Sequence, residues 1–152
     1  MNIKKLGFGF FSIGVALFAS TAVGHDINNK SLLDGNGPEA TDVWQTECMG
    51  SAILGNSARL VANITQKFTP NDLSKLTLVV YKDGKAQNTV DLTGGDDAGS
   101  PLISVDAGNG IYTMIASRTA GGNKIYSIEF HCENEGGDHT PTTVPSIPVQ
   151  DQ

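Results

Sequence analysis

From Thr41 onward the chain alternates apolar and polar residues in short runs, each closed by glycine, asparagine or aspartate. Strand side chains point alternately to opposite faces, so a period of two over about four to eight positions marks a half-buried β-strand. TDVWQTEC (41–48) places Trp44, Thr46 and Cys48 in one phase, and ARLVANIT (58–65) does the same for Ala58, Leu60, Ala62 and Ile64. The clearest signal is LTLVVYKDGKAQNTVDL (76–92). Leu76, Leu78 and Val80 alternate into Asp83-Gly84, a pair that supplies the positive φ angles of a tight hairpin turn. LISV (102–105) is a short strand, and IYTMIAS (111–117) and KIYSIEFHC (124–132) predict a second hairpin across Ala120-Gly121-Gly122-Asn123. In the last of these, Tyr126, Ile128, Phe130 and Cys132 share one phase, while Glu129 and His131 share the other.

The segments between these runs are loops, and FTPNDLSK (68–75) is a connector with room for one helical turn at Pro70. No amphipathic helical pattern exceeds two turns. About seven short, turn-separated strands without helices predict an all-β protein, an antiparallel β-sandwich whose two sheets hide each other's apolar faces. Residues 25–40 lack periodicity and read as a flexible N-terminal arm. Residues 133–152 carry Pro141, Pro145 and Pro148 with no apolar pattern, and read as a disordered Pro/Thr-rich tail.

Before the sandwich, the order of residues changes the picture of where the chain works. Lys4 and Lys5 precede an apolar stretch from Leu6 to Phe18, and small residues follow up to Gly24. That is the order of a secretory signal peptide over residues 1–24, too short to span a membrane, with cleavage expected after Ala22 or Gly24. No cysteine precedes Cys48, so there is no lipid-attachment site near the cut. The expectation is a secreted or periplasmic domain. Sixteen acidic residues face ten basic ones, two of them in the signal itself, and no Lys/Arg cluster occurs. Such a chain does not attract nucleic acid or an anionic membrane, which leaves an unidentified protein or surface partner.

The stretches TDVWQTEC, LTLVVYKDG and GNGIYTMIASRTAGGNKIYSIEF together resemble the bacterial pre-peptidase C-terminal domain, over residues 41–132. The matching positions are Asp42 and Trp44, Asp83 and Gly84, Gly110 and Tyr112, and Tyr126. The resemblance implies a small secreted β-sandwich of the kind appended to exported proteases and other enzymes, removed in maturation or used for binding. No catalytic domain accompanies the match in this sequence.

Candidate chemistry is sparse. Two cysteines in an exported chain predict a disulfide, Cys48–Cys132, and both lie in core-facing phases of the first and last predicted strands. The stretch EFHCENEGGDHT (129–140) looks like a metal cluster, but a disulfide removes Cys132 and leaves His131 and His139 on either side of a Gly-Gly break. His25 lies beside the expected cut. As first residue it would offer an α-amine and an imidazole to copper, completed by another histidine. As third residue it would give an amine–amide–imidazole chelate. His25, His131 and His139 are therefore the candidate metal ligands, with copper as the candidate ion and no cofactor required. Asp91, Asp96, Asp97 and Asp106 are a candidate calcium loop, without EF-hand spacing or a closing glutamate. No Gly-x-Ser-x-Gly turn is present and no histidine sits in a triad-like context, so no catalytic residue is assigned and a non-enzymatic role is expected. The sequence thus points to an exported, non-catalytic binding or structural module, with a periplasmic copper-binding protein as the alternative.

Overall fold

The structure, a computed structural model, describes residues 24–37, 39–67, 74–96 and 98–152. Residues 1–23 of the expected signal peptide (1–24) and the helical turn expected at Pro70 lie outside the described residues. Nine strands are described: β1 (His25–Leu32), β2 (Thr41–Cys48), β3 (Arg59–Gln66), β4 (Leu76–Lys82), β5 (Lys85–Asp91), β6 (Ile103–Val105), β7 (Gly110–Arg118), β8 (Lys124–Glu133) and β9 (His139–Thr140). One sheet runs β1-β8-β3-β6, with β9 also on β8, and the other runs β2-β7-β4-β5. All these pairings are antiparallel, and the two sheets pack face to face as the alternation predicts.

The core fills the space between them. Trp44, Leu60, Ile64, Leu76, Leu78, Met114, Tyr126, Ile128 and Phe130 are all buried. Each such large apolar side chain contributes about 1.5–3 kcal/mol by leaving water. The Asp83-Gly84 hairpin forms as read: Lys82 pairs with Lys85, and Asp83 and Gly84 adopt φ of 50° and 77°.

Three expectations give way. The first is the hairpin across residues 120–123. β7 pairs with β2 and β4, whereas β8 pairs with β1 and β3, so the turn is an arch between sheets. Alternation and turn glycines are common to hairpins and arches; what selects the arch is that both strands are flanked on each side within their own sheets. Arg118, at the end of β7, anchors it. Its guanidinium donates to the carbonyls of Leu32 (3.1 Å), Leu33 (2.9 Å), Gly37 and Gly122.

The second is the arm. Residues 25–32 are an edge strand on β8, with a register shift between Ile27 and Lys30 and Asn29 at φ 51°. The bulge lets Ile27 and Leu32, an odd number of residues apart, both face the core. It also erases the period that would have revealed the strand.

The third is the tail, which lies along the outer edge of β2. Val43 N–H donates to Gln150 O (2.9 Å), Thr143 N–H to Glu47 O (3.0 Å), Val149 N–H to Val43 O (2.7 Å) and Met49 N–H to Pro141 O (2.9 Å). An open sheet edge invites pairing with other chains, and an extended proline-bearing segment covers it without needing an apolar pattern of its own.

Two links tie the sheets through the core. The Cys48–Cys132 disulfide joins β2 to β8, with Cα atoms 5.6 Å apart. Beside it, Trp44 Nε1–H donates to the Tyr126 hydroxyl (2.9 Å), which donates to Asp42 Oδ2 (2.5 Å). Gln152 N–H donates to the other carboxylate oxygen at 2.9 Å, so the chain's last residue closes the relay. Burial outweighs these bonds and holds the Asp42 carboxyl above its ordinary range. A raised folded-state value means that this group's stabilisation is full below about pH 3.8, the unfolded value, and is lost as the pH rises through the folded one. Urea denaturation from about pH 3 to about pH 7 should therefore show the parent losing stability relative to Asp42→Asn. A difference that does not change with pH would contradict this.

Candidate metal centre

Past the disulfide, β8 turns its other phase to the outside of the five-stranded sheet. Glu129, His131 and Glu133 lie there, while Phe130 and Cys132 point inward. The register sets Arg59 of β3 opposite Glu133 on one side and His139 of β9 opposite it on the other. Between them Asn134 and Asp138 close a tight loop: Asn134 N–H donates to Asp138 O (3.0 Å) and Asp138 N–H to Asn134 Oδ1 (2.9 Å), with Gly137 at φ 86°. That loop folds His139 back beside His131. Their rings stack with centroids 3.9 Å apart and planes 18° apart.

Glu133 completes the group. His131 Nε2 lies 2.8 Å from Glu133 Oε1, and Arg59 Nε–H donates to Glu133 Oε2 at 2.8 Å. Donor atoms of His131, Glu133 and His139 all fall within 4.8 Å of one another. Burial pushes the Glu133 carboxyl up, but the bonds and charges of His131 and Arg59 outweigh it and hold the group below its ordinary value. For His139, burial first, then the charges of His131 and His25, push the imidazole down, against the pull of Glu133. The carboxylate is thus kept charged and His139 kept neutral, the forms in which both can donate electron pairs to a cation.

The three predicted histidines are not equally placed. His131 and His139 converge. His25 pairs with Phe130 on the inward-facing register, its ring 6.2 Å from the Phe130 ring, and stands outside the group of three. Glu133 lies one residue past the strand end that the sequence predicts at Cys132, although its phase, two residues beyond His131, is legible.

The aspartates predicted for calcium are engaged locally. Asp91 is buried, accepting from Gln66 N–H (2.6 Å) and Thr93 N–H (3.1 Å). Asp96 accepts from the Thr93 hydroxyl (2.7 Å) and Ala98 N–H (3.0 Å) within its own turn. Asp106 stands 4.0 Å from Arg59, and Asp97 lies outside the described residues. Among the described residues these acids form no common group, and no helix is long and apolar enough to cross a membrane. No family model, no curated protein and no solved structure matches the chain.

Proposed function

We propose that the chain is an exported, non-catalytic β-sandwich module that binds a ligand or partner in the periplasm or at the cell surface. The observation that carries this reading is the buried disulfide between the two sheets, a bond that forms and persists in oxidising compartments. It agrees with the positively charged, then apolar, then small-residue order of residues 1–24. A module of this kind needs a rigid frame, and here the chain's own ends supply part of it: β1 lines one edge of the five-stranded sheet and the tail covers the β2 edge of the other. The outer face around Arg59, His131, Glu133 and His139 is the surface offered for binding.

Fractionation of a bacterium expressing the full chain, followed by intact-mass measurement, tests the reading. The expected product lies outside the cytoplasm, has lost residues 1–22 or 1–24, and is about 2 Da lighter than the dithiol form. A full-length cytoplasmic product with free thiols would overturn it.

A further inference from the structure

We propose that His131, Glu133 and His139 hold one divalent transition-metal cation, Cu(II) more tightly than Zn(II). This rests on the binding-module reading and names the ligand of that module.

His131 carries an unmatched lone pair. A neutral imidazole carries one N–H and one bare nitrogen. If His131 Nε2–H donates to Glu133, its Nδ1 is a bare acceptor, and that atom is buried with no hydrogen-bond partner. Burying such an atom unpaired is costly. A Lewis acid bound at Nδ1 supplies the partner that this atom lacks.

The stacking brings the two imidazoles to one place, with ring centroids 3.9 Å apart. Four-coordinate sites of this type place nitrogen and oxygen donors about 2.0–2.2 Å from the ion, and hence about 3.3 Å from each other. The donors now lie within 4.8 Å of one another, so binding draws them together and turns the stacked rings until their in-plane lone pairs converge.

The surroundings suit a metal as well. Arg59 grips Glu133 through Oε2 and leaves Oε1 turned toward the histidines, the role that outer partners play in orienting carboxylate ligands. β8 and β9 pair backbone to backbone, so two of the ligands sit on a rigid strand and the third on its hairpin partner. Two imidazoles and a carboxylate leave a further position open, and among the common divalent ions such a donor set favours copper. The sulfur of Cys132 takes no part, being bonded to Cys48.

The test is calorimetric titration of the exported, processed protein, purified without a polyhistidine tag and stripped of metal, with Cu(II) and with Zn(II). The expected result is one ion per chain, with Cu(II) tighter. His139→Gln and Glu133→Gln should each weaken binding by about 100-fold or more, and His25→Ala should leave it within about threefold. Cu(II) electron paramagnetic resonance of the unaltered protein gives a second readout that does not depend on any variant folding. Coupling to two imidazole nitrogens is expected. No binding, equal binding in all variants, loss in His25→Ala alone, or an amide-nitrogen spectrum of an amino-terminal chelate would each overturn the proposal. Failure of the titration leaves export standing, and cytoplasmic retention is detected by fractionation, so the two readings fail separately.

Discussion

Replacing Cys48 and Cys132 together by alanine is expected to lower the free energy of unfolding by about 4–5 kcal/mol. The two residues are 84 positions apart, so the bond closes more than half of the chain into one loop. For a loop of that size the chain-entropy model gives about 4–5 kcal/mol, through the freedom denied to the unfolded state. Both sulfurs are buried, and the alanine pair also leaves a small void between the sheets, which adds to the loss. Domains of this size are stable by only about 5–15 kcal/mol, so the loss takes between about a quarter and nearly all of the total. Urea denaturation of the parent, with and without reductant, and of the double variant measures this. A loss below about 1 kcal/mol would show that the bond does little to hold the layers together.

Tyr126→Phe is expected to cost about 3–5 kcal/mol, far more than the loss of one hydroxyl on a surface. The hydroxyl is the middle of a buried relay, accepting from Trp44 and donating to Asp42. Phenylalanine preserves the packing but leaves an indole N–H and a carboxylate oxygen unpaired in the core, each costing about 1–3 kcal/mol and more where charge is involved. Because the relay crosses from β8 to β2, the loss falls on the contact between sheets. Trp44 is the protein's single tryptophan, so its fluorescence reports both the unfolding midpoint and the change in its surroundings. A double-mutant cycle with Trp44→Phe should show strong coupling, since the second substitution removes a donor that the first has already stranded. Additive effects would mean that the relay is not a unit.

The relay also shows how sequence and structure divide the explanation. Asp42, Trp44 and Tyr126 were conspicuous in the sequence as part of a family resemblance. In the structure they are a buried structural device, and Tyr112, another of those positions, donates from its hydroxyl to Gly108 O at 2.8 Å. Asp83 and Gly84 are a turn. All of these positions serve the core and the turns of the two-sheet frame.

The candidate metal-ligand group was half legible. His131 could be placed on the outer phase of the last strand by counting alternate residues, and Cys132 on the inner one. His139 could not be placed, because a Gly-Gly loop permits many exit directions. Only the backbone pairing of β9 with β8, and the Asn134–Asp138 closure, bring its ring onto His131. Arg59 falls outside the Ala58, Leu60, Ala62 and Ile64 phase of its segment, and no local pattern names its partner. Its partnership with Glu133, 74 residues away in the chain, depends on the pairing of β3 with β8.

Sequence by itself determined the all-β class, the strands with a clean period of two, the Asp83-Gly84 turn and the inward phase of both cysteines. These follow from local alternation and from the φ angles that particular residues tolerate. Only the tertiary structure decided what depends on non-local backbone pairing: the arch between β7 and β8, the bulged edge strand at residues 25–32, the tail laid along β2, and the meeting of His131, Glu133 and His139. Backbone hydrogen bonds between distant segments carry no side-chain pattern, so the alternation that announces a strand is silent about its neighbour.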